Sequence, residues 1–96
     1  MIKRFETILL EEAFGFVQEQ NIKTRKKILQ NIRRSEHTND PKLFKKLNKE
    51  IWEFRTLYNG TQYRLLAFWD KEDKTETIVF ATHGVIKRQV KSIKRK

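Results

Sequence analysis

A chain of 96 residues has room for one domain with a modest core and not for two. The absence of cysteine excludes a disulfide framework and a thiolate zinc site, and no apolar run approaches the roughly 18 residues of a membrane span. The formal charge is +10, from 22 Lys and Arg against 12 Asp and Glu, which favours a polyanionic partner, either nucleic acid or an acidic protein.

The first residues lack the layout of a signal peptide, since Ile8-Leu9-Leu10 runs straight into Glu11 and Glu12; the expectation is a soluble cytoplasmic protein, a single domain over 1–96. Ile2 to Leu10 reads as a first strand, with Phe5, Thr7 and Leu9 alternating against Arg4, Glu6 and Ile8. From Glu11 the period lengthens. Leu10, Phe14 and Val17 are spaced for one face of a helix that ends near Asn21, despite Gly15.

A second helix is predicted from Ile22 or Thr24 to Arg34, with Ile28, Leu29 and Ile32 as its buried stripe. Its other side carries Lys23, Arg25, Lys26, Lys27, Arg33 and Arg34, a run read equally well as a solvated face or as a nucleic-acid backbone contact. His37 falls in the polar loop that follows and reads as solvated. Asp40-Pro41 has the chemistry of a helix start, because Asp accepts free backbone amides and Pro tolerates the first helical position. A short helix is expected there, anchored by Leu43, Phe44 and Leu47, with Lys42, Lys45, Lys46 and Lys49 outward. Those lysines serve either solubility or a phosphate-binding surface.

The strongest local signal is Asn59-Gly60 between the runs Ile51 to Tyr58 and Thr61 to Trp69. Both central positions of a type I′ turn need positive φ, so this is a two-residue hairpin. Its register sets Tyr58 opposite Thr61, Thr56 opposite Tyr63 and Arg55 directly opposite Arg64. The other face collects Trp52, Phe54, Tyr58, Tyr63, Leu65 and Trp69, an apolar surface for the two helices to cover. Opposed like charges destabilise a sheet by about 0.2–1 kcal/mol, which is tolerated more readily if an anion sits between them. The competing reading is that both arginines only pair with carboxylates such as Glu53 or Glu76.

A third strand is expected over Thr77 to His83. If its connection is the four residues Lys71 to Lys74, Arg64 faces Ala81 and His83 faces Gln62 on the arginine side, whereas an odd loop or a bulge flips His83 away. His83-Gly84 then ends the strand, where a histidine before glycine reads as a turn residue bonded to backbone. Beyond it, Ile86, Val90 and Ile93 fit a short amphipathic helix in a basic tail.

At Phe44 to Leu47, Ile51 to Arg55, Tyr63 to Asp70 and Thr82 to Arg88, the chain resembles the RelE/ParE superfamily of bacterial toxin components, most closely the phage-derived HigB-like branch. The resemblance implies an α+β, RelE-like fold: an N-terminal strand and two helices packed on an antiparallel β-sheet meander. It also implies a type II toxin-antitoxin system whose toxin is a ribosome-dependent mRNA endoribonuclease, an mRNA interferase that inhibits translation. Members use no metal and no cofactor. They cut by attack of a 2′-hydroxyl on the adjacent phosphate, arginine and lysine stabilising the charge and a histidine or tyrosine moving protons.

Carried onto this sequence, the resemblance makes Arg64 the first candidate catalytic residue, then Arg55 and His83, with Lys45, Lys46, Lys49, Lys87 and Arg88 as RNA-binding residues. The implied partners are the ribosome, mRNA and an antitoxin protein of helix-turn-helix, HigA-like type, with no membrane. Members usually continue past the last strand into a further helical segment, whereas this sequence stops at Lys96. The competing functions are a ParE-like inhibitor of DNA gyrase and a non-catalytic RNA- or ribosome-binding module.

Overall fold

A computed structural model describes residues 3–70 and 77–88 of the chain. The elements are β1 (Glu6–Leu9), α1 (Glu11–Gln18), α2 (Ile22–His37), β2 (Phe44–Lys46), β3 (Trp52–Tyr58), β4 (Thr61–Trp69) and β5 (Ile78–Arg88). They form one five-stranded sheet in the order β1-β5-β4-β3-β2, with both helices on one face. The chain enters at one edge, crosses over the helices to the other edge, and returns by the antiparallel meander until β5 lies parallel to β1. The expected α+β architecture is present, with the sheet mixed rather than purely antiparallel.

The hairpin obeys its turn chemistry. Asn59 and Gly60 both adopt positive φ, 54° and 76°, and Arg55 pairs with Arg64 as the two-residue loop requires. The face opposite the arginines turns inward. Phe54, Leu65 and Ala67 are buried there with Val79 and Ala81 of β5, and Trp52, Tyr63 and Trp69 pack at the margin. Phe5, just ahead of β1, joins this core: its ring centroid is 5.2 Å from those of both Phe44 and Trp69.

α2 covers β3 and α1 covers β5. The α2 N-terminus is capped by Asn21, whose Oδ1 accepts the Thr24 amide at 2.9 Å. It buries Ile28 and Ile32 as expected, but Leu29 is exposed and the stripe is completed by Thr24, Asn31 and Ser35. The helix also runs on through the expected loop to His37, whose Nδ1 lies 3.0 Å from the Arg33 carbonyl.

In α1 the buried face is Ala13 and Val17, whereas Phe14 is 54% exposed. The reason lies on β5. Gly84 has no side chain, and a Cβ built there would overlap the ring of Phe16, which occupies the space a side chain would need. That close approach selects the Ala13–Phe16–Val17 face over the equally periodic Leu10–Phe14–Val17 one.

The short helix expected after Asp40-Pro41 does not form. Asp40 does start a turn, its Oδ1 accepting the Lys42 amide at 2.9 Å and its carbonyl those of Leu43 and Phe44, but the chain then extends as β2. Pairing with β3 gives the backbone at Trp52–Phe54 partners and stacks Phe44 on Phe54 at 4.4 Å and on Trp52 at 4.8 Å. Asn48 closes the β2–β3 connection, its Oδ1 accepting the amides of Glu50 and Ile51 at 3.0 Å. Leu47, expected as an anchor, is exposed.

Strand β5 also differs from expectation: it continues past His83-Gly84 to Arg88, so Ile86 is a strand residue rather than the start of a helix. Val90 and Ile93, the rest of that expected helix, lie outside the described residues, as do Lys71 to Lys74 and Glu76.

Candidate active site on the open face of the sheet

Among the described residues no helix covers the second face of the sheet. Strand alternation and register place Glu53, Arg55 and Leu57 of β3 there, with Gln62, Arg64, Leu66 and Phe68 of β4. Arg64 is central. Arg55 stands directly across from it on β3, and Val85 across from it on β5, with His83 and Lys87 as the diagonal neighbours on that side. Such diagonal positions are about 7–8 Å apart, within reach of long side chains.

A carboxylate occupies the space between the two arginines. Glu53 is buried; its Oε2 lies 3.4 Å from Arg64 Nη1 and its Oε1 3.3 Å from Arg55 Nε. The second contact has the distance of an ion pair but not hydrogen-bond geometry, and Oε1 is left without a hydrogen bond. Arg64 is further oriented by Gln62, whose Oε1 accepts from Nε at 3.2 Å and also from Nη2. The terminal nitrogens of Arg55 have no partner among the described residues. One negative charge thus holds two guanidinium groups, and the cluster keeps a net positive charge facing solvent.

His83 reaches this face by an irregularity in β5. Ala67 pairs with Ala81, and unbroken pairing from there would set His83 opposite Leu65, on the core side. A bulge at Leu66/Ala67 makes Thr82 an extra residue, so His83 pairs with Leu66 and shares a face with Arg64. The side expected for His83 is therefore correct and its expected partner, Gln62, is not: Gln62 pairs with Lys87, and Arg64 with Val85 rather than Ala81.

Thr82 also orients the imidazole. Its hydroxyl donates to the Leu66 carbonyl at 3.2 Å and lies 3.1 Å from His83 Nδ1. With its only proton committed to the carbonyl, the hydroxyl accepts from Nδ1–H, a tautomer assigned from the network that leaves Nε2 of the neutral ring to take a proton.

The expected RNA-binding cations separate. Lys45 pairs with Glu53 and Lys87 with Gln62, so both share the face of Arg64. Lys46 pairs with Trp52, a position that alternates to the other face, Arg88 pairs with Thr61 at the end of β5, and Lys49 sits in the exposed turn between β2 and β3. Beside His83 lies a groove of about 750 Å³, walled by Ile51, Leu66, Phe68 and Phe80. The groove was not among the expected site features. Glu53 was expected only as a carboxylate pairing with the two arginines, and that pairing is present. Among the described residues no group of three or more His, Asp or Glu is placed to hold a metal ion, and no helix is long and apolar enough to cross a membrane.

Residues 16–96 match the family described as phage-derived protein Gp49-like (DUF891), a segment that contains α2, the whole meander, both arginines, Glu53 and His83. No curated protein matches the chain.

Proposed function

This chain belongs to the Gp49-like family of phage-derived proteins, a RelE/ParE-like toxin family, and from that premise we propose that it is an mRNA endoribonuclease acting at the ribosome. The family implies an antitoxin partner. The observation that carries the endoribonuclease reading is the convergence on one uncovered face of Arg64, Arg55 across from it, and His83 and Lys87 diagonal to it.

In the proposed reaction the scissile phosphate binds over the two arginines. His83 Nε2 takes the proton of the 2′-hydroxyl, whose oxygen forms a bond to phosphorus. The bond from phosphorus to the 5′-oxygen breaks, that oxygen takes a proton from solvent, and the upstream fragment ends in a 2′,3′-cyclic phosphate. Negative charge accumulates on the equatorial oxygens in the transition state. Guanidinium groups already held in place by Glu53 and Gln62 need little reorganisation to meet it, so they stabilise the transition state more than the ground state. Lys45 and Lys87 flank the phosphate from neighbouring strands. The groove of Phe68 and Phe80 offers an adjacent base an apolar wall.

The test is primer-extension mapping of cellular mRNAs after brief induction of the chain, beside Arg64→Ala and His83→Gln. Cuts within translated frames that fall by about 10²–10³ in rate with Arg64→Ala support the reading. Loss with His83→Gln as well gives the histidine its proton-transfer role. Arrested growth with intact mRNA and damaged DNA would instead make the chain a gyrase inhibitor, and the absence of both effects would make it a non-catalytic binding module.

A further inference from the structure

We propose that the cleft along the free edge of β3 is a second phosphate site, which holds the RNA backbone next to the reacting phosphate. The proposal rests on the reading of the open face as an RNA site. The cleft has a volume of about 390 Å³ and gathers cations from three separate elements: Lys27 and Arg34 of α2, Lys42 of the turn after Asp40, and Arg55 of β3. Lys27 and Arg34 are seven residues apart, which puts them two helical turns apart on one side of α2. Among the described residues no carboxylate lines the cleft.

Among the described residues Lys27, Arg34 and Lys42 take part in no ion pair, and the one carboxylate that reaches Arg55 is shared with Arg64. Four like charges held around one small concavity repel one another, and a polyanion is the ligand that relieves this. Asn31 and Thr56 line the cleft beside Leu43 and Leu57, and the buried Asn31 donates to Thr56 Oγ1 at 3.3 Å.

Continuity with the open face selects the nucleic-acid backbone over an acidic protein segment. Arg55 and Gln62 line the cleft and also belong to the arginine cluster, Gln62 as the acceptor of Arg64. A strand of RNA with one phosphate over Arg55 and Arg64 needs only to continue past the edge of β3 beyond Arg55, whose amide still donates to the Leu43 carbonyl, to reach Lys42, Lys27 and Arg34. This resolves the basic run of α2 into two parts. Lys27 and Arg34 face the cleft, while Lys26 and Arg33 are exposed and do not line it.

The experiment measures binding of a short single-stranded RNA, blocked against cleavage by 2′-deoxy substitution, to the purified full chain over a range of salt concentrations by fluorescence anisotropy. The comparison is between Lys27→Glu/Arg34→Glu in the cleft and Lys26→Glu/Arg33→Glu outside it, which change net charge equally; Lys42→Glu is an independent cleft variant on a different element. Loss of two phosphate contacts should reduce the slope of log affinity against log salt by about 1.4 in the cleft pair, and by about 0.7 in Lys42→Glu. The outer pair should keep the wild-type slope. Equal effects in both pairs overturn the proposal, because total charge and not the cleft would then set affinity. Unchanged RNA binding in the cleft variants, with weakened binding of the antitoxin, overturns it in favour of an acidic protein segment. Blocked RNA is not cut, so a cleft that binds in a chain that cleaves nothing would sink only the endoribonuclease reading. Normal cleavage by a cleft variant with an unchanged slope would sink only the cleft.

Discussion

Oε2 of Glu53 lies 3.4 Å from Nη1 of Arg64, and the same buried carboxylate reaches Arg55 with its other oxygen. Removing its charge with Glu53→Gln leaves two guanidinium groups opposed across the hairpin. Breaking a fully buried pair costs about 3–5 kcal/mol, but these arginine side chains are 29% and 18% exposed, so water screens part of the loss and about 1–2 kcal/mol is expected. Urea unfolding measures it. Sulfate, which can replace the missing charge, should raise the midpoint of Glu53→Gln more than that of wild type at matched ionic strength. An equal response in the two proteins would refute the claim that Glu53 fills an anion position.

Thr82 sets the imidazole through one hydroxyl shared between Leu66 and His83. Thr82→Val keeps the shape and the β-branched backbone preference but removes the acceptor for Nδ1–H. Cleavage is expected to fall by about tenfold, a part of the 10²–10⁴ that a positioned acid or base contributes, with Thr82→Ser retaining activity. The pH–rate profile checks the assignment: a purely structural role for Thr82 would lower the rate without moving the profile.

Gly84 gives its space to Phe16. Gly84→Ala must displace either the ring or the β5 backbone, and overpacking of this kind costs about 1–3 kcal/mol. In a Phe16→Leu background the cost should shrink. A double-mutant cycle by thermal or urea unfolding reads that coupling, and additive effects would show that the close approach is not what Gly84 supplies.

Gly60, at φ 76°, is the second residue of the hairpin turn. Gly60→Ala puts a Cβ in a left-handed conformation and should cost about 1–2 kcal/mol, whereas Asn59→Gly should be close to neutral. Because this turn sets Arg55 against Arg64, Gly60→Ala is also expected to lower cleavage in proportion to any loss of native register, followed by amide exchange across β3 and β4. Full protection of both strands in Gly60→Ala would contradict that link.

The sequence by itself determined the hairpin, its register and the arginine pair, because these depend on a two-residue turn and on the strict two-residue alternation of strands, both local properties. It also determined the strand that begins the chain and the existence of two helices, which follow from a change of hydrophobic period. What it could not determine is where distant segments compete for the same partner. Asp40 to Leu47 carries a valid helix start, yet the unpaired edge of β3 and the ring of Phe54 draw Phe44 into a strand instead. The buried face of α1 was ambiguous by period alone and was decided by the gap at Gly84 on β5.

Only the tertiary structure decided which residues of β5 face the arginine pair. One extra residue at Thr82 reverses every side chain beyond it, so alternation put His83 on the correct side only together with a register the structure replaces, Arg64 pairing with Val85 and not with Ala81. The cleft likewise joins α2, the Asp40 turn and β3, segments whose cations are separated in sequence by as many as 28 positions and are gathered only when the helix is laid on the sheet. Turn chemistry and alternation act between neighbours, whereas the position of a charge in space depends on every pairing between it and its partner.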